Sequence, residues 1–130
     1  MIVVDASVMI EVLLRMPAAA RVERRLFDSG ESLHAPHLLD LEVAQVLRRY
    51  VADRDIDVAR GRAALDDLAD VPVRRYAHDL LLPRVWALRD NLTAYDAVYV
   101  ALAEALGATL LTRDTRIAAA PGNAARIELV

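Results

Sequence analysis

Lysine and cysteine are both absent from this chain of 130 residues, and all sixteen basic side chains are arginine. Without cysteine there is no disulfide, thiolate metal site or cysteine nucleophile, a composition compatible with a reducing compartment. Without lysine there is no P-loop lysine, no Schiff-base chemistry and none of the lysine on which receiver and haloacid-dehalogenase-type phosphotransfer sites rely. No uncharged stretch approaches the roughly 20 residues that cross a bilayer, and the opening run Met1–Val4 meets Asp5 before a signal-peptide core can form. A cytoplasmic protein is expected. The net charge of −3 excludes a globally basic nucleic-acid coat, so any nucleic-acid contact needs a local patch. What is present is apolar: 56% hydrophobic residues in this length predict one domain, 1–130, with a substantial core.

Taken in order, the pattern alternates. Ile2–Val4 is a β-branched run too short for a helix, ended by Asp5-Ala6-Ser7, after which Val8, Ile10, Val12 and Leu13 begin a mostly apolar helix. Pro17 opens a second, amphipathic helix through about Phe27, closed by Ser29-Gly30. Leu33–Ala35 reads as a second strand ended by Pro36, followed by a helix to about Asp53 that His37 or Asp40 would cap. In that helix Leu38, Leu41, Ala44, Val46 and Leu47 are expected to face the core. Asp55 or Asp57 begins a further helix ending near Leu68, and Val71-Pro72-Val73 offers a third strand. His78–Leu88 is helical with an interruption at Pro83, which either kinks the helix or starts it afresh.

The most informative stretch is TAYDAVYVALAEALGATLLTRD, from Thr93 to Asp114. Val98, Leu102, Ala105 and Leu106 give a helical pattern, Gly107 supplies a left-handed stop, and Ala108–Thr112 is an apolar run suited to an interior parallel strand. A short helix near Arg116–Ala119 and an edge strand over Ile127–Val130 complete the chain. The expectation is an α/β domain with a central, mostly parallel sheet of four to five strands flanked by helices.

Ligands of such sheets bind outside the C-terminal strand ends. Four acids fall there: Asp5 ends the first strand, Glu42 lies in the first turns of the helix after the second, Asp96 opens the helix before the fourth, and Asp114 follows it. Carboxylates gathered within several ångströms repel, so one or more must protonate, pair with arginine or bind a cation. Oxygen-only ligation suits Mg²⁺ or Mn²⁺ better than zinc, and the reaction implied is phosphodiester hydrolysis. Ser7 and Thr112 are placed to hydrogen-bond the carboxylates, and Arg48, Arg49, Arg113 and Arg116 are the candidate phosphate contacts.

Each of the four acids, taken singly, also suits an ordinary helix start. A binding module whose acids only cap helices, and a phosphohydrolase with Asp5 as nucleophile, are the rival readings. Glu11, Asp40, Asp66, Asp67, Asp70 and Asp79 are assigned to solvated faces or caps, Trp86, Tyr95 and Tyr99 to packing, and His34, His37 and His78 to no catalytic role.

Three stretches, VVDASV around Asp5, APHLLDLEVAQVLRR around Glu42 and LTAYDAVYVALAEALGATLLTRDTRI around Asp96 and Asp114, resemble PIN-domain proteins, in particular the VapC toxins of bacterial type II toxin–antitoxin modules. The resemblance implies a metal-dependent endoribonuclease with Asp5, Glu42, Asp96 and Asp114 as its acidic quartet and Ser7 and Thr112 as supporting hydroxyls. It also implies a homodimer, a small VapB-like antitoxin whose C-terminal segment enters the active site, and a structured RNA substrate. A PIN-fold ribonuclease of RNA processing is the nearest alternative. Where some members carry a further acid beyond the fourth, this chain has Thr115 and Arg116.

Overall fold

A computed structural model describes all 130 residues. Its strands are β1 (Ile2–Val4), β2 (Leu33–Pro36), β3 (Val73–Tyr76), β4 (Thr109–Thr112) and β5 (Arg126–Leu129). Its helices are α1 (Ala6–Leu13), α2 (Ala19–Phe27), α3 (Leu38–Ala52), α4 (Val58–Asp70), α5 (Leu82–Ala87), α6 (Ala94–Leu106) and α7 (Thr115–Ala119). A 3-10 turn over Asp79–Leu81 precedes α5, so Pro83 starts that helix in its first turn rather than kinking a longer one. No helix is long and apolar enough to cross a membrane.

All five strands are parallel, in the order β3-β2-β1-β4-β5. The chain moves from β1 outward on one side through β2 and β3, then returns to lie as β4 on the other side of β1. The crevice between the ends of β1 and β4 is therefore the topological switch point, where loops part and a ligand has room to enter. Ile2, Val3 and Val4 are fully buried, so both faces of the central strand are covered. Gly107 ends α6 in the left-handed conformation at φ 61°, as its sequence position predicts.

Several expectations are corrected. In α3 the buried stripe is Leu39, Val43 and Leu47, while Leu41 is 71% exposed. Leu41 lies about 200° around the helix from Leu39, on the opposite side, because each residue turns the helix by about 100°. The helix is capped neither by His37 nor by Asp40; Nε2 of His78, forty residues away, accepts the Leu38 N–H at 3.1 Å. Asp40 instead takes a bidentate pair of bonds from Arg75 at 2.7 and 2.9 Å. The third strand begins at Val73, where the expected run Val71-Pro72-Val73 ends, and its arginines Arg74 and Arg75 are tolerated because β3 is an edge strand. In α6 every residue from Ala97 to Ala103 is buried and Ala105 is exposed, so the helix is enclosed on all sides rather than along one stripe. Trp86 and Tyr95 are exposed rather than packed.

Candidate active site

Asp5 sits at the end of β1 and is the N-cap of α1. Its Oδ1 accepts the Val8 N–H at 3.1 Å and the Ser7 hydroxyl at 2.6 Å, and its Oδ2 accepts the Thr112 hydroxyl. Each hydroxyl is itself oriented by the loop after β4. Ser7 Oγ accepts the Arg113 N–H at 3.0 Å, and Thr112 Oγ1 accepts the Asp114 N–H at 3.0 Å. An ionised carboxylate only accepts, so both hydroxyl hydrogens must point at Asp5. The two hydroxyls thus tie Asp5 to the backbone that carries Asp114. Burial raises the Asp5 pKa above the ordinary carboxylate value, and these hydrogen bonds pull part of the way back.

Glu42 is half-buried on α3, where Oε1 accepts the hydroxyl of the fully enclosed Tyr99 at 2.6 Å. Its pKa is raised, first by burial and then by the negative charges of Asp96 and Asp5, against the opposing Tyr99 bond. Burial and the neighbouring Glu42 push the Tyr99 phenol far up, so that it remains a donor. Asp96 lies in the first turn of α6, whose cap is Thr93; its pKa is raised by burial and by the charge of Asp114. Asp114 caps α7 and is held by Arg116 at 2.7 Å, which lowers its pKa.

The four predicted acids therefore form a run of like charges, Asp5 beside Glu42, Glu42 beside Asp96, Asp96 beside Asp114. No three of them stand close enough to hold one ion in their present side-chain positions. The rim is open: its carboxylates are near enough to shift one another's titration, while Glu42 and Asp114 are turned toward Tyr99 and Arg116.

The candidate arginines separate. Arg116 is engaged by Asp114. Arg113 turns its guanidinium to the Val130 carbonyl at 2.9 Å, with Nε 3.5 Å from Glu11. Arg48 lines a groove between α3 and α4, whereas Arg49 lines a cavity beside Ser7. Glu11, expected on a solvated face, is only 5% exposed and accepts the Ala18 N–H at 2.7 Å. Its position four residues after Ser7, on the same face of α1, was the available signal.

A model of the PIN domain matches residues 2–123. The chain belongs to the PIN-domain family. Among relatives of this PIN domain, Ribonuclease VapC1 of Mycobacterium tuberculosis (strain ATCC 25618 / H37Rv) is 48% identical over 129 residues, which cover 98% of this chain and 96% of the relative. Of solved PIN-type structures, VapBC2 from Rickettsia felis, bound to a DNA fragment from their promoter, superposes with a TM-score of 0.72 at 13% identity, covering 99% of this chain and 98% of that one. VapC20 of Mycobacterium tuberculosis, described as a Sarcin-Ricin loop cleaving toxin, gives a TM-score of 0.70 at 17% identity, covering 92% of this chain and 94% of that one. At those identities the two structures speak for the fold alone.

Proposed function

We propose that the acidic rim is the active centre of a Mg²⁺- or Mn²⁺-dependent endoribonuclease, the toxin of a VapBC-type toxin–antitoxin module. The observation that carries this reading is the gathering of Asp5, Glu42, Asp96 and Asp114 from separate elements along one rim, where burial raises the pKa of the first three, Glu42 feels the charges of Asp96 and Asp5, and Asp96 feels that of Asp114. The ribonuclease names of relatives 42–48% identical to this chain support the reaction class.

The donor chemistry fits a hard divalent ion. All candidate ligands are carboxylate oxygens, and Oδ2 of Asp5 retains a lone pair after accepting from Thr112. Asp5, Glu42, Asp96 and Asp114 would hold the ion. When bound, it would neutralise these carboxylates, activate water and stabilise charge on the reacting phosphate. The chain's own groups do the positioning: Ser7 and Thr112 fix both Asp5 oxygens, Tyr99 orients Glu42, and Arg116 holds Asp114 until competing charge arrives. A structured RNA is the substrate, a second copy of the chain the partner in a homodimer, and a VapB-like antitoxin the inhibitor.

The test is cleavage of RNA by purified protein with Mn²⁺ against EDTA. Asp5→Asn and Asp96→Asn are expected to abolish cleavage while circular dichroism stays unchanged. Undiminished cutting by both variants would remove the rim from the chemistry.

A further inference from the structure

Between α1 and α3, adjoining the rim, lies a cavity of about 390 Å³. Ser7, which donates to Asp5, is part of its wall, so a single side chain separates the cavity from the Asp5 carboxylate. Ile10, Met16 and Val46 make it apolar, and Tyr50 adds a half-buried ring whose hydroxyl makes no hydrogen bond within the protein. Its size falls within the range of small-ligand sites, roughly 300–1,000 Å³.

The charges around it are unequal. Arg113 is compensated by Glu11 and the Val130 carbonyl, whereas Arg49 is exposed and makes neither an ion pair nor a side-chain hydrogen bond. An acidic rim repels the phosphates of a polyanion, so a strand that reaches it needs a cation close by. Arg116 is held by Asp114 and Arg48 faces the α4 groove, which leaves Arg49 for that task. A cation at the mouth of an apolar, partly aromatic cavity is the combination that receives an unstacked nucleotide, the base inside and the phosphate on the guanidinium.

We propose that this cavity is a nucleotide subsite: it takes the base of a nucleotide flanking the scissile phosphate, and Arg49 binds that nucleotide's own phosphate. The inference rests on the nuclease reading of the rim and adds to it the groups that choose the cut position. An acidic segment of a protein partner would also satisfy Arg49, but it would leave the position of the cavity, one side chain away from Asp5, without a purpose.

The experiment is methyl NMR of the full chain, without divalent ions, titrated separately with AMP, GMP, CMP and UMP. The expected result is shifts centred on the methyls of Met16, Ile10 and Val46, with one nucleotide bound more tightly than the others. Arg49→Ala should weaken that binding about tenfold, the typical effect of losing a charged hydrogen bond. Val46→Trp should fill the cavity and abolish binding, and Arg62→Ala, a charge removed from α4, should leave binding unchanged. Silent cavity methyls, or wild-type binding by the surface variant Arg49→Ala, would overturn the proposal even where RNA is still cut with Mn²⁺. Methyl shifts caused by a purified antitoxin but by none of the nucleotides would also overturn it and assign the cavity to a protein. Failure of the wild type to cut any RNA with Mn²⁺ would instead sink the nuclease reading, whatever the methyls do.

Discussion

Tyr99 donates its hydroxyl to Glu42 Oε1 at 2.6 Å, joining a core residue of α6 to a carboxylate of α3 across the rim. The bond favours ionised Glu42, whereas burial and the charges of Asp96 and Asp5 favour its neutral form. In Tyr99→Phe the first influence is lost and the Glu42 pKa rises further. The acid limb of the pH–rate profile should then move to higher pH, and stability should fall by about 1.5–3 kcal/mol, as for a lost hydrogen bond to a charged group. A purely structural Tyr99 would lower stability and leave the limb where it was.

Asp5, Glu42 and Asp96 all have pKa values raised by folding. Such groups contribute stability that is complete below their unfolded values and lost as pH rises through their folded ones. Asp114 and Glu104 are lowered by Arg116 and Arg84, and their contribution runs the other way, lost as pH falls. Without metal, the midpoint of thermal unfolding should therefore decline as pH rises above the ordinary carboxylate range and the rim ionises. Saturating Mn²⁺ should cancel the decline, adding about 2.7 kcal/mol at a hundred times its Kd. Asp96→Asn should stabilise the metal-free protein at neutral pH and shrink the Mn²⁺ increment. Melting curves with EDTA and with Mn²⁺ from acid to neutral pH decide it; a flat profile insensitive to the ion would contradict the account.

Where a segment's own pattern determines its state, the sequence was readable. The apolar run before Asp5, the left-handed Gly107 and the strand behind it all reach the structure within a residue, and so does the placement of Asp5, Asp96 and Asp114 at strand ends and helix starts. What escaped depends on partners supplied by topology. Arg74 and Arg75 hide β3, because only an edge position and Asp40 make such a strand tolerable. His78 caps α3 from forty residues away, and no local rule pairs them. Glu11 looks like one more surface acid until the fold brings the Ala18 N–H and Arg113 against it. The four acids were legible as a group, but their separation by Tyr99 and Arg116 was not, since it is set by rotamers.

Thr112 is fully buried and its hydroxyl bridges Asp5 Oδ2 to the Asp114 N–H. Thr112→Val keeps the shape and removes both bonds, leaving a buried carboxylate and a backbone N–H short of partners. A loss of about 2–4 kcal/mol in urea unfolding at neutral pH is expected, with the deficit shrinking at acid pH because Asp5, whose pKa rises further, then protonates. Thr112→Ser, which restores the hydroxyl, should recover most of the activity while retaining a packing defect. Equal behaviour of the Val and Ser variants would show that the hydroxyl does nothing for Asp5.

Glu11 supports the rim from behind. Oε1 accepts the Ala18 N–H at 2.7 Å, Oε2 stands 3.5 Å from Arg113 Nε, and the Arg113 N–H donates to the Ser7 hydroxyl that holds Asp5. In Glu11→Gln the amide oxygen still accepts from Ala18, so only the attraction to a partly exposed guanidinium is lost, about 1 kcal/mol. Glu11→Ala also strips the Ala18 N–H of its acceptor and opens a cavity beside Ile10, and its cost should reach about 3 kcal/mol. Urea unfolding measures both, and hydrogen exchange of the Ala18 amide separates them: protected in Glu11→Gln, accelerated in Glu11→Ala. If the two variants lose the same stability, the dominant interaction is the charge on Arg113 rather than the bond to Ala18. That loop would then be held to α1 by its charge, and activity should fall with rising salt in the wild type more steeply than in Glu11→Gln.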